Sequence, residues 1–178
     1  VDDYVYAGAR HAQNKLTILE ISYRWGLEER RHGQMFRYCL IDSGMLTQQE
    51  VDEFLDQCAQ DMWTFERQTG MAATASNTAS YTVVQERHTR HNYTKFRLFL
   101  MRLFEETGNQ LLEILAKMVR YVEIDEGAHE GNFRAIGRIY QKNRPDLFIE
   151  SFRIALDAYD MPKVDFPDQE KFTLALVA

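Results

Sequence analysis

The sequence predicts an all-α bundle of long helices, and three observations predict it. Apolar residues recur at helical spacing through most of the 178 residues, with no strand-rich region. Helix stop signals stand where those periodic runs end, at Gly44, Gly70 and Gly108, and capping residues stand where they begin. All three prolines fall at or after Pro145, so none interrupts the earlier runs.

In chain order, Val1 to Gln13 gives no clear element. Asn14 is a plausible N-cap for a helix running to about Ser43, ended by Gly44. Its inner face reads Ile18, Ser22, Trp25, Glu29, His32, Phe36, Leu40. Thr47-Gln48-Gln49-Glu50 is a capping-box pattern, opening a helix to about Thr69 with Gly70 as its stop. The Ala-, Ser- and Thr-rich stretch Met71 to Ser80 reads as a loop or frayed start. A third helix is expected from Asn77 or Ser80 to Thr107, closed by Gly108. Its inner face reads Thr82, Glu86, Thr89, Tyr93, Phe96, Leu100. A fourth runs from Asn109 to about Asn143, with Leu115, Val119, Val122, Glu126, His129, Phe133 and Ile136 inward. Pro145 suits the first turn of a fifth helix, ending near Met161-Pro162.

The length suggests one domain, residues 1–178, with a C-terminal tail over 163–178 and enough chain to bury a real core. A net charge of −6 disfavours nucleic acid or an anionic membrane surface as partner. Cys39 and Cys58 are far apart and form no Cys-x-x-Cys, against an iron–sulfur or structural zinc site. No apolar run approaches ~20 residues, so no membrane-spanning helix is expected. The chain opens on Val1 rather than Met, and residues are expected to precede it.

The polar residues on the inner faces carry the chemistry. Glu29-Arg30-Arg31-His32 and Glu126-Gly127-Ala128-His129 are both Glu-x-x-His. At about 100° per residue, positions i and i+3 lie roughly 60° apart, so each pair aims a carboxylate and an imidazole at one point. Apolar residues flank both pairs, which separates them from solvated charge runs. Glu86 lies on a third helix. Two Glu-x-x-His pairs plus lone glutamates on two further helices are the ligand set of a di-iron carboxylate bundle. Carboxylate oxygen and imidazole nitrogen suit iron, and paired metals want several Glu and few His. The set expected here is Glu29, His32, Glu86, Glu126 and His129, with one lone Glu unaccounted for. Glu20 is about 180° around the helix from Glu29, so the missing ligand is expected on a helix before Val1. The competing reading is metal-free: the Glu/His pairs hydrogen-bond each other inside the bundle. Thr89, one turn after Glu86, and Trp25 each have an ordinary packing reading as well.

These residues resemble the soluble acyl-[acyl carrier protein] desaturases. That family shows a Trp four residues before the Glu of Glu-x-x-His-Gly, here Trp25, Glu29, His32 and Gly33, with the doubled Glu28-Glu29 also matching. Its Gln-Glu-Arg-x-Thr stretch appears as Gln85-Glu86-Arg87-His88-Thr89. Its Asp-Glu-x-x-His-Glu stretch appears as Asp125 to Glu130, and Met161-Pro162 matches a Met-Pro after the next helix. Order and approximate spacing agree over residues 14 to 162. Gly127-Ala128 departs from the bulkier polar residues usual there, and the region after His91 diverges.

The resemblance implies a ferritin-like di-iron helical bundle in which two iron ions and dioxygen remove two hydrogens from a fatty acyl chain on acyl carrier protein. Electrons would come from ferredoxin or a similar donor. It implies Thr89 as a proton donor on the oxygen side, and Asp125, His32 and Trp25 as an electron path. It also implies upstream helices, one supplying the remaining Glu, and a homodimer, in the bacterial cytoplasm or plastid stroma. The alternatives are a hydroxylase, a ribonucleotide reductase small subunit or other ferritin-like oxidase, or a metal-free helical scaffold. Acyl carrier proteins are acidic, so a basic docking face is expected, from Arg87, Arg90, Lys95, Arg97 and Arg102 or from Arg134, Arg138, Lys142 and Arg144.

Overall fold

A computed structural model describes residues 16–60, 66–67, 70, 72, 74–157 and 159. The described residues form helices α1 (Leu16–Asp42), α2 (Gln48–Gln60), α3 (Ala75–Thr107), α4 (Gln110–Asn143) and α5 (Pro145–Asp157), and no strand. This is an all-α bundle of the kind a ferritin-like fold requires.

The centre is the α3–α4 hairpin. Gly108 ends α3 with φ 67, a left-handed conformation open to glycine at little cost, and its N–H donates to the Phe104 carbonyl at 2.8 Å. The Asn109 side chain then accepts from the Leu111 N–H at 3.1 Å and caps α4. Partners descend α4 as they ascend α3: Arg90 meets Glu130 and Arg97 meets Glu123, which is an antiparallel pairing. Helix α1 also runs antiparallel to α4, with Trp25 against Phe133, His32 against Asp125, and Cys39 against Met118.

Two apolar clusters fill the bundle. One joins Trp25, Ala79, Tyr81, Val84, Phe133, Ile136, Ala155 and Tyr159. The other is built on Leu100, Ala116 and Val119, with Phe36 and Tyr93 packed against it. Val119 and Val122 are fully buried, each worth about 1.5–3 kcal/mol relative to exposure. Gly137 admits α5: a Cβ there would stand 3.2 Å from Phe148 Cε2.

Two expectations change. Helix α3 begins at Ala75, with the Thr74 side chain accepting from the Asn77 N–H at 3.2 Å, earlier than the expected Asn77 or Ser80. Ser76, Thr78, Ala79 and Ser80 are buried. Their small side chains gave no periodic signal, but they let α5 approach, and Ser151 Oγ lies 3.0 Å from Ser76 Oγ and donates to Asn77 Oδ1 at 2.6 Å. Phe96 is 39% exposed rather than inward. It lies ten residues past Glu86, roughly 80° off that meridian. Helix α2 is described to Gln60, with the Thr47–Glu50 capping box made in both directions. Farther on, Gly70 (φ 65) donates to the Glu66 carbonyl at 2.9 Å, a helix-ending geometry. Met161-Pro162, Asn14 and the 163–178 tail lie outside the described residues. No described helix is long and apolar enough to cross a membrane.

Candidate metal centre

Between the two apolar clusters lies a band of ionisable side chains. Glu29 from α1, Glu86 from α3, and Glu126 and His129 from α4 each offer a ligand atom, and these atoms all lie within 4.8 Å of one another. His32 stands beside them, its Nδ1 3.4 Å from Glu126 Oε1 and 3.6 Å from Glu29 Oε2. The Glu-x-x-His spacing accounts for two helices, and antiparallel packing of α1 on α4 brings the two pairs face to face. Their imidazole centroids are 6.0 Å apart. Glu20 is exposed, away from this group.

Each imidazole has an inner and an outer nitrogen. His129 Nδ1 faces Glu86 Oε2 at 3.2 Å and Glu29 Oε1 at 3.1 Å. Only the Glu86 contact is aligned as a hydrogen bond; Glu29 Oε1 is buried without one. His129 Nε2 points outward to Glu28 Oε2 at 2.8 Å. His32 mirrors this: Nδ1 inward, buried and without a hydrogen bond, and Nε2 outward to Asp125 Oδ2 at 3.0 Å. The carboxylate just before each motif therefore crosses to the other helix's histidine. Carboxylates only accept, so both Nε2 atoms carry a proton, and the inner Nδ1 atoms are the ones that would face a ligand, His129 Nδ1 in exchange for its contact to Glu86.

Three of the residues singled out by the resemblance surround this band. Thr89 Oγ1 lies near the Gln85 and Glu86 carbonyls, both at 3.1 Å, and Glu126 Oε2 at 2.5 Å. It has one proton, and the short contact to a carboxylate is the strongest of the three claims. Asp125 Oδ2 sits on His32 Nε2. Trp25 is placed differently: its Nε1 donates to Glu86 Oε1 at 2.9 Å, and its ring meets Phe133 edge-on. Glu28 was quoted in the sequence only as half of a doublet; the signal for its role was that doublet, matched by Asp125-Glu126.

The electrostatics are those of a ligand set holding protons in place of cations. Burial works to lower the His129 pKa, but Glu29 and Glu86 outweigh it and raise it to about 11. For His32, burial again opposes, and Glu126, Glu29 and Asp125 raise it to about 10. Burial would raise Glu29, yet His129 and His32 hold it at about 2. Glu86 goes the other way: burial lifts it well above the carboxylate range against His129, with Glu126 and Glu29 adding repulsion. Burial, then Glu126, Glu29 and Glu86, push the Tyr93 hydroxyl above its usual range. Two orphaned inner atoms, Glu29 Oε1 and His32 Nδ1, beside a carboxylate–imidazole donor set, fit a bound metal ion.

A helical bundle with carboxylates and imidazoles converging between its helices defines a class of possible metalloproteins. The family is narrower. Residues 11–174 match the family model described as fatty acid desaturase, and the chain belongs to that family. It is thus an oxidoreductase of the desaturase kind. No curated protein and no solved structure matches it.

Proposed function

We propose that this chain introduces a double bond into a fatty acyl chain carried on acyl carrier protein, using a pair of iron ions. The observation that carries the reading is the meeting of Glu29, Glu86, Glu126 and His129, with His32 beside them, inside a chain of the desaturase family. Family membership favours this reading over a ribonucleotide reductase small subunit.

Glu29, His32, Glu86, Glu126 and His129 would hold the metal. The iron would supply activation of dioxygen and the oxidising power for removing two hydrogens. The chain's own part is placement. Glu28 and Asp125 keep the Nε2 protons on His129 and His32 and turn both Nδ1 atoms inward. Trp25 fixes one oxygen of Glu86, leaving the other to the centre. Thr89 holds its proton against Glu126 Oε2, where it is available on that side of the centre. Asp125 and His32 form a polar route outward, and an open cavity of about 360 Å³ reaches them from the surface. We assign them to electron entry from a ferredoxin-type donor; the bond from Trp25 to Glu86 puts that residue at the centre's other flank.

For carrier docking the basic stripes are narrower than their sequence. Arg90 and Arg134 engage Glu130, Arg97 engages Glu123, Arg102 engages Glu106 and Arg144 engages Asp146. Among the described residues no carboxylate pairs with Arg87, Lys95, Arg138 or Lys142, and these are the docking cations we propose. A homodimer is also proposed, supported by exposed apolar side chains such as Leu27, Leu98 and Phe99.

The test is to load the chain with ferrous iron and supply saturated acyl carrier proteins of several lengths, dioxygen and a reduced ferredoxin. A product two hydrogens lighter is expected. A hydroxylated product instead would move the chain to the related hydroxylase reading, and no iron uptake with no turnover would leave the metal-free scaffold.

A further inference from the structure

The two crossed carboxylates are not independent. Arg31 lies three residues past Glu28 on α1, hence on the same helix face. Its Nη2 stands 4.0 Å from Glu28 Oε1 and 3.7 Å from Asp125 Oδ2. Glu28 presents its other oxygen to His129 at 2.8 Å, and the same Asp125 oxygen meets His32 at 3.0 Å. A continuous chain therefore runs His129–Glu28–Arg31–Asp125–His32 around the outside of the site. We propose that Arg31 is a positioning residue, a guanidinium bridge that couples the outer hydrogen bonds of both histidines.

The chemistry favours Arg for this place. Its guanidinium stays charged at any working pH, and one nitrogen, Nη2, faces the carboxylates of both helices. The distances are those of ion pairs rather than short hydrogen bonds, so the bridge steers its partners by charge. Glu28 is 37% exposed and Asp125 32%. Either carboxylate can swing to water, and a cation between them holds both inward. Arg31 itself is 64% exposed and lines the open cavity with Tyr121 and Ile124. Exposed ion pairs contribute little to stability, so the bridge acts on orientation and hardly on folding. Its mark is that removing one residue is felt at two imidazoles on two helices.

The experiment uses the full metal-free chain with ¹⁵N-labelled histidine. Exchange of the His32 and His129 Nε2 protons with water is measured at one fixed pH in the wild type, Arg31→Gln and Arg31→Lys. Arg31→Gln should speed exchange at both rings by ~3- to ~10-fold, smaller than the 10- to 100-fold losses of metal affinity that follow removal of an outer partner itself. The melting temperature should stay close to wild type, which a merely structural role would not predict. Arg31→Lys keeps the charge and should restore most of the protection at both rings. A response at only one ring, or at neither, overturns the bridge. No restoration by Lys at either ring overturns a bridge that acts by charge. A second arm measures release of bound Co(II) to a chelator, expected to be faster in Arg31→Gln. Failure of the wild type to bind Co(II) would count against the proposed metal function, while the exchange arm tests the bridge without any metal.

Discussion

The two Glu-x-x-His helices carry one motif in two environments. On α4, His129 is 1% exposed and meets Glu28, Glu29 and Glu86 within 3.2 Å. On α1, His32 meets one carboxylate at 3.0 Å and two more at 3.4 and 3.6 Å. The difference follows from packing. Helix α4 is sandwiched between α1, α3 and α5, whereas the cavity lined by Arg31, Met35 and Ile124 opens beside His32. One sequence pattern thus yields a tightly held half-site and a half-site with access to the surface.

The largest effect that would break this comparison is loss of an inner ligand. Glu126→Ala and His129→Ala should each abolish metal binding, weakening it by more than ~100-fold, above the range for outer partners. Metal analysis after loading with ferrous iron checks this, and unchanged iron per chain in either variant would sink the site. His32→Ala, on the looser side, should retain more metal than His129→Ala.

The next effect sharpens the comparison, because each outer carboxylate serves the opposite helix. Glu28→Gln should disturb His129 and Asp125→Asn should disturb His32, each costing ~10- to 100-fold in metal affinity. Histidine ¹⁵N shifts assign the response to a ring. If Glu28→Gln moved His32 alone, the crossing would be wrong.

The shared inward faces of Glu29, His32, Glu86, Glu126 and His129 were legible in the sequence because helix periodicity decides which face a residue takes. Capped ends and unbroken runs left no doubt that Glu29/His32 and Glu126/His129 each share a face, and Glu86 followed from its own apolar neighbours. The crossing was not legible. That Glu28 reaches His129, 101 positions away, depends on how α1 lies across α4, and no local rule encodes that. Trp25 shows the same limit: the resemblance groups it with His32 and Asp125, while packing sends its N–H to Glu86 on α3. The first turns of α3 were misread for another reason. Small residues at Ser76 to Ser80 look like loop until a neighbouring helix is known to rest on them.

A third effect concerns pH in the metal-free chain. His32 and His129 are raised to about 10 and about 11, so the folded state binds their protons more tightly than the unfolded chain. Their contribution is fully present below about 6.5 and is lost as pH rises through those folded values. Glu29, held at about 2, has the opposite sign: its contribution is present above about 4.5 and is lost as pH falls through about 2. Urea unfolding of the metal-free protein should therefore show stability falling between neutral pH and pH ~11. Ligation needs both imidazoles deprotonated at Nδ1, so metal uptake at neutral pH should release protons, measurable in a weakly buffered solution. A stability profile flat from neutral to strongly alkaline pH would contradict the protonated pair.

The smallest effect tests whether Trp25 belongs to the buried half-site or only to the core around it. Its ring packs edge-on against Phe133 with centroids 5.3 Å apart, and its Nε1 donates to a Glu86 oxygen that is otherwise enclosed. Trp25→Phe keeps most of the aromatic contact and removes the donor. A buried acceptor left without its partner costs about 1–3 kcal/mol, and the smaller ring adds a cavity term. Metal ligation by Glu86 would satisfy the freed oxygen in part, so the loss should be larger in the metal-free chain than in the loaded one. Denaturation of Trp25→Phe and wild type, with and without bound metal, reads that difference. An equal loss in both states would place Trp25 in the core alone, and its bond to Glu86 would then have no bearing on the centre.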